Sequence, residues 1–272
     1  MSTQTSTFPP EKATRVNYHD GILLAAPDFQ QEQLYHRGRL AAVLSRLHGF
    51  GTIAGLKVDR TSPDAGPPVQ EEEIVVNPGI AIDRVGRLIE VRKKHCLRLQ
   101  KWFEHETQNA DASLTPFLDG AERYLVADIF LSSVEFPQGL RPSFPEPAAD
   151  ATDAAIPART QEGFELKLVV RDCDPETTRP ALPAARFATK PATYRALLDA
   201  IYASYDDAPG EPPEYPDDFD ATAVFLSRVL VRLSDAPATD RNRHASNEVV
   251  IEDDRRPVAL PADLIATLLP TS

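Results

Sequence analysis

Apolar side chains recur at helical spacing near the N-terminus of the 272-residue chain. Asp28 follows Pro27 and precedes Gln31 by three residues, a capping-box spacing that predicts a helix from Asp28 to about His48. Gly49 comes next and suits a helix end. At about 100° per residue, one face of this helix is mostly apolar. That face consists of Phe29, Gln33, His36, Leu40, Val43, Leu44 and Leu47.

The amphipathic face is predicted to pack against the protein core. Gln33 and His36 lie in the middle of it, and burying either one without a hydrogen bond would cost roughly 1–3 kcal/mol. We therefore expect both side chains to bond the backbone of a neighbouring loop, near residues 18–21 or 47–49. His36 is accordingly interpreted as a core histidine.

Runs rich in β-branched and aromatic residues predict strands along much of the remaining chain. Residues 52–58 suit a strand, and Gly55 inside it indicates a bulge or a close approach of backbone. Further strands are predicted at 74–76, 80–82, 88–91, 124–136, 164–170 and 223–233. The last three are separated by connections that are too long for hairpins.

Two turns punctuate the short strands. Pro78-Gly79 suits a type II turn, and the stretch from Asp83 to Gly86 suits a type I turn that ends with Gly86 at positive φ. The second of these predicts a β-hairpin.

Two further helices are predicted, at 192–205 and 261–269. The whole pattern indicates an α+β fold that is mainly β. In it the N-terminal amphipathic helix packs on antiparallel strands, and long proline-rich loops connect the elements.

Proline is abundant, with 25 Pro against only 12 Gly, and its position along the chain suggests the domain organisation. Residues 1–14 are polar and aperiodic, which predicts a flexible N-terminal tail. Residues 15–272 are predicted to form a single domain. Its proline-rich connections near 137–157 and 209–220 are expected to be loops or arms that neighbouring molecules order.

Charge and cysteine content exclude several functional classes. Lys plus Arg number 29 and Asp plus Glu number 41, a net charge of −12 that disfavours nucleic acid as a partner. Two cysteines, Cys96 and Cys173, provide neither a disulfide framework nor a structural zinc site, which indicates a cytoplasmic protein. No apolar run reaches the roughly 20 residues of a membrane span, and no secretory signal is evident.

Catalytic chemistry has little support in the sequence. His19, His36 and His48 are the first candidates, with Asp20, for a metal or acid–base site. On a helix, however, His36 and His48 would lie about 18 Å apart along the axis. The chain also lacks the hydrolase nucleophile elbow and the phosphate-binding glycine loops. We predict no catalytic residue, no cofactor and no metal.

Two stretches resemble an uncharacterised bacterial family with motifs such as Y-F-D-G-Q-L-L, L-H-G-x-G-x-V-x-G-L and P-G-x-A-x-D-x-x-G-R. Here they read YHDGILL, LHGFGTIAGL and PGIAIDRVGR, and His19 stands where the family usually has Phe. The family resembles proteins encoded with phage-tail-like contractile injection systems. The structural motif residues that match or accompany the pattern are Tyr18, Asp20, Gly21, Gln33, His36, His48, Gly49, Gly51, Gly55, Pro78, Gly79, Asp83, Gly86 and Arg87.

The resemblance implies a non-enzymatic structural component of such a particle, at the baseplate, in the spike surroundings or at the fibre attachment. Its partners would be other subunits of the tail-like particle, in which it would form a homo-oligomer or a symmetric ring. It would be made in the cytoplasm and assembled into a particle that is released or membrane-attached. A surface adhesin or binding module is the alternative, and a hydrolase using the region of His19, His36 and His48 is a weaker one.

Overall fold

A computed structural model gives the fold. It describes residues 14–62, 71–109, 115–142, 155–173, 179–182, 193–196, 198–199, 215–216, 219–235 and 242–259. The long helices are α1 (Ala26–Leu47) and α2 (Leu99–Asn109). The strands are β1 (Gly51–Gly55), β2 (Val58–Thr61), β3 (Glu73–Val76), β4 (Gly79–Ile82), β5 (Leu88–Val91), β6 (His95–Arg98), β7 (Phe117–Asp119), β8 (Glu122–Pro142), β9 (Ala155–Arg171), β10 (Val224–Arg232) and β11 (Val249–Glu252).

Three antiparallel sheets organise these strands. The largest has the order β11-β10-β8-β7, and β9 pairs with β8 beyond the short β7 segment. Two three-stranded sheets have the orders β1-β4-β5 and β2-β3-β6. The α+β, mainly β, class predicted from the sequence is confirmed.

One apolar cluster joins all three sheets. On β8, alternate side chains from Leu125 to Leu131 point into it, as the two-residue period of a strand requires. Ile74 of β3 and Ile89 of β5 enter the same cluster from the smaller sheets. Each such fully buried aliphatic side chain stabilises the fold by about 1.5–3 kcal/mol. The cluster therefore holds the sheets together as one body.

Two local predictions were wrong. Residues 52–58 do not form one strand, because Leu56 adopts φ +56° and divides the segment into β1 and β2. Pro78-Gly79 does not make a type II turn: β3 and β4 belong to different sheets, and Gly79 lies outside the left-handed region that such a turn requires. This dipeptide instead carries the chain from one sheet to the other.

The connection predicted over 137–157 is in part a β-ribbon. Strands β8 and β9 remain paired as far as Pro142 and Ala155, so they form the hairpin that the prediction had judged too long. From Glu135 and Glu162 outward both strands are exposed, and at about 3.3 Å per residue this arm extends about 26 Å. The prolines are tolerated because, among the described residues, the ribbon has two strands with no further strand on either edge.

Several other predictions meet the limits of the described residues. The helix at 261–269 and nearly all of the tail at 1–14 lie outside them. Of the helix predicted at 192–205, residues 193–196 and 198–199 are described, and all but Thr193 are helical. Within 209–220, Tyr215 is buried and stacks edge-on against Phe130. Helix α2 was not predicted from the sequence. It is attached to the large sheet by Trp102, whose indole N–H donates to the Leu168 carbonyl at 2.9 Å.

A buried ion cluster fixes the centre of the large sheet. Asp128 of β8 lies directly opposite Arg228 of β10 and accepts two hydrogen bonds from it, at 2.7 and 2.9 Å. Arg171 of β9 donates to the same carboxylate at 2.7 Å. Arg228 also donates to the carbonyl of Pro180 at 2.5 Å, which ties residues 179–182 to the sheet. All three charged residues are buried.

Asp128→Asn should lower the free energy of unfolding by about 3–5 kcal/mol, because it leaves two buried guanidinium groups without a counter-charge. Glu165→Gln is the matched control on the same sheet, since its carboxylate pairs with Lys167 at the surface and such pairs contribute at most about 1 kcal/mol. Urea unfolding monitored by circular dichroism measures both variants. Equal stability of the two variants would contradict a structural role for the cluster.

Candidate interaction surface

Helix α1 is attached to the body through its smallest residues. Gly38 and Ala41 are its buried positions. The turn between β4 and β5 lies so close to Ala41 that a Cβ added to Gly86 would come within 2.0 Å of the Ala41 carbonyl oxygen. Gly86 has φ +91°, as the sequence predicted for the end of this turn. The two backbones can therefore meet only with glycine at position 86.

Asp83 and Arg87 stabilise the same turn. The buried Asp83 carboxylate accepts from the backbone N–H of Arg87 at 2.8 Å and from its Nε at 2.5 Å. Arg87 donates further to the Thr222 hydroxyl at 2.8 Å. Burial raises the pKa of the Asp83 carboxyl, although Arg87 acts in the opposite direction. The motif residues Asp83, Gly86 and Arg87 thus build the platform on which α1 lies.

The apolar face of α1 points to solvent, and the prediction that it packs on the core was wrong. Leu40 is 61% exposed and Leu47 is 73% exposed. Gln33 and His36 are exposed as well, and His36 Nε2 lies 4.0 Å from a Glu32 carboxylate oxygen at the surface. The reason is steric: the approach to the Gly86 turn admits only small side chains, so the large ones face outward. We call Phe29, Gln33, His36, Leu40, Val43 and Leu47 the α1 seam.

The ends of α1 are defined by its backbone. The helix begins two residues earlier than predicted, because the N-terminal cap is Ala25 and Asp28 accepts from the Ala25 N–H at 2.8 Å. It ends at Leu47, one residue before the predicted limit. Gly49 follows with φ +79° and donates to the Ser45 carbonyl at 3.1 Å.

The segment before α1 lies along its first half. Tyr18 donates to Glu32 at 2.5 Å, a bond that raises the pKa of the phenol. Gln31 donates to the Thr14 carbonyl at 3.1 Å. These residues, rather than Gln33 and His36, hold the segment. Its own apolar residues Tyr18, Ile22 and Leu23 are exposed.

A groove separates α1 from the β8–β9 ribbon. Arg37 of the helix forms an ion pair with Glu135 at the base of the ribbon. The groove has a volume of about 190 Å³ and is lined by Leu40 and Leu44 on one side and by Leu88 on the other. The apolar surface of the helix therefore continues toward the ribbon.

The remaining motif glycines lie where backbones cross. A Cβ on Gly51 would meet the Pro257 carbonyl oxygen at 2.3 Å, and one on Gly55 would meet that of Pro78 at 2.1 Å. Gly79 lies equally close to Ala54. At Gly21, by contrast, nothing lies within 4 Å of an added Cβ. Three of these four glycines therefore form scaffold contacts between segments.

The histidines raised as catalytic candidates do not share a cavity. His19, His36 and His48 are all exposed, as is Asp20. None of these four residues lines the groove beside α1. None lines the polar depression of about 600 Å³ over β2, β3 and β6 either. Among the described residues no cluster of three or more His, Cys, Asp or Glu is placed to hold a metal ion.

No helix in the described part of the chain combines the length and apolarity needed to cross a bilayer.

Comparisons with known proteins give a weak structural likeness. The sequence matches no protein-family model and no curated protein. Among solved structures, the crystal structure of TssK aligns with a TM-score of 0.37 and 14% sequence identity. The alignment covers 89% of this chain and 41% of that chain. A TM-score of this size does not define a shared fold.

Gly86→Ala should destabilise the protein by about 2–5 kcal/mol, because left-handed strain of roughly 1–2 kcal/mol adds to about 1–3 kcal/mol from the backbone overlap at Ala41. Gly120→Ala is the control, since Gly120 has φ +62° but nothing within 4 Å, and should show the strain alone. Thermal unfolding of both variants compares them. Identical losses would mean that the Gly86–Ala41 approach has no energetic importance.

Substitutions on the two faces of α1 should change the stability of the protein by different amounts. Ala41→Leu should cost about 1–3 kcal/mol through overpacking against the Gly86 turn. Leu40→Ser, one residue away, should change stability by no more than about 0.5 kcal/mol because the side chain already faces solvent. Denaturant midpoints measure both. A larger loss for Leu40→Ser than for Ala41→Leu would reverse the orientation assigned to the helix.

Proposed function

We propose that the chain is a non-enzymatic structural subunit of a phage-tail-like contractile injection system, at the baseplate, in the spike surroundings or at the fibre attachment. The observation that carries this proposal is the outward α1 seam. Four of its six residues, Phe29, Leu40, Val43 and Leu47, are large apolar side chains exposed on one face, and exposed apolar patches of this kind mark contacts with other molecules. The seam would be covered by another subunit in the assembled particle.

The attachment of α1 supports a role in rigid assembly. Its buried side meets the Gly86 turn, and Arg37 connects it to Glu135 of the ribbon. A contact surface held in place before association loses little conformational entropy when a neighbour binds. The helix is thus suited to a fixed interface between subunits.

The β8–β9 ribbon supports the same role. A two-stranded ribbon is marginally stable by itself in water, and this one exposes Phe136, Leu140 and Ile156. In the part of the chain that the structure describes, neither ribbon strand pairs with a third strand, so another chain can add a strand to either edge. We propose that adjacent subunits cover this arm.

The motif resemblance points to the kind of particle. The motif residues of the β4–β5 turn and the backbone crossings belong to the framework that positions α1, as expected where sequence similarity preserves a scaffold. The net charge of −12 favours basic protein surfaces, rather than nucleic acid, as neighbours.

A binding module or adhesin is the second candidate. The exposed Phe136, Leu140 and Ile156 at the ribbon favour it, because apolar side chains on a protruding arm can contact a surface glycan or protein. This role predicts that loss of the ribbon residues abolishes attachment while particle assembly continues. The structural role predicts that assembly itself fails.

Deletion in the host that encodes the protein tests the proposal. We expect mass spectrometry to detect the protein in purified particles of the parent strain, and the deletion strain to give few intact particles. Complementation with Leu40→Lys should lower incorporation at least tenfold. Leu118→Lys, an exposed leucine on β7, should incorporate normally. Parent particles without the protein, together with unchanged assembly after deletion, would refute the proposal.

A further inference from the structure

We propose that the α1 seam binds the same seam of a second copy of this chain, with the two helices antiparallel about a two-fold axis near Gly38. This inference rests on the proposed function in one respect, the use of α1 as an assembly surface. It adds the identity of the occupant and the geometry of the contact.

The spacing of the seam is that of a coiled coil. Its six residues are separated by four, three, four, three and four positions, the alternation of a and d sites in a heptad repeat. Gly38 falls on the opposite side of the helix and is buried against the body. Seam and body contact therefore lie on opposite faces. Such a seam is completed by a facing helix.

An antiparallel arrangement about this axis places every seam residue opposite another. Phe29 would face Leu47 of the second copy, Gln33 would face Val43, and His36 would face Leu40. Each polar residue then meets an aliphatic one, and its polar end can reach water at the edge of the contact. Polar residues within a seam lower its stability and fix its register.

The charges of α1 favour the antiparallel orientation. Asp28 and Glu32 lie in its first half, and Arg46 lies in its last turn. Arg39 lies beside the axis, faces its own counterpart and does not favour either orientation. Antiparallel pairing brings Glu32 of each copy toward Arg46 of the other, and it also opposes the two helix dipoles. A parallel pair would place like-charged halves side by side. Arg37 already pairs with Glu135, so it contributes less to the choice.

The interface is small. The 22-residue helix is about 33 Å long, and four apolar side chains of each copy contribute to it. Interfaces at the low end of the size range form reversible complexes. The dimer should accordingly be populated at high protein concentration and should exchange subunits readily.

Sedimentation of the purified full-length chain up to about 100 µM, where weak dimers are populated, tests the occupant. We expect a monomer–dimer equilibrium whose Kd rises at least tenfold in Leu40→Lys and stays unchanged in Leu118→Lys. A monomer at every concentration would overturn the proposal, because the seam would then be covered by its own chain or reserved for a different subunit. A trimer or larger ring would overturn it too.

Cysteine cross-linking tests the orientation. In a Cys96→Ser background, Phe29→Cys and Leu47→Cys are prepared separately and then mixed. Oxidation should give disulfide-linked dimers in the mixture at least tenfold faster than in either variant alone. Cross-linking within each single variant would indicate parallel helices and overturn the assignment. The native Cys173 should not form a disulfide under these conditions, because burial raises the pKa of its thiol to about 11.

The dimer proposal and the proposed role in an injection particle can be refuted independently of each other. Both measurements use purified protein without any particle, so a dimer with the predicted cross-link stands even if the chain is absent from injection particles. Conversely, normal incorporation of a chain that stays monomeric would leave the structural role intact and refute the dimer.

Discussion

The close approach of the Gly86 turn to the backbone of Ala41 determines which face of α1 is exposed to solvent. A Cβ at Gly86 would lie 2.0 Å from the Ala41 carbonyl oxygen, so the turn and the helix meet without an intervening side chain. This contact requires small residues on one side of α1, and it leaves the large apolar residues on the other. The orientation of the helix, and hence the exposed seam, follows from it.

The body that carries this contact is stabilised independently. Asp128, Arg171 and Arg228 form a buried ion cluster across three strands of the large sheet. Apolar residues of all three sheets share one core. Because neither the cluster nor the core uses the large residues of the seam, those residues can be changed with little effect on folding. If the seam is an assembly surface, as we propose, substitutions there should affect assembly without affecting folding.

The sequence predicted helices, strands and turns better than it predicted the contacts that these elements make. The hairpin closed by Gly86 and the end of α1 before Gly49 follow from local turn chemistry, whereas the helix begins two residues before the predicted Asp28. Periodicity identified the apolar face of α1, but it cannot tell whether that face meets its own sheet or another molecule. The partners of Asp128 lie 43 and 100 residues away, so no local pattern revealed them. Charged residues within apolar strands were the available signal.

The exposure of Leu40 in the folded monomer is the central claim, and thiol labelling tests it most directly. In a Cys96→Ser background at low protein concentration, Leu40→Cys should react about as fast as an unfolded peptide, and Ala41→Cys should react orders of magnitude more slowly. Protection of Leu40→Cys under these conditions would show that the chain covers its own seam, and would contradict the account.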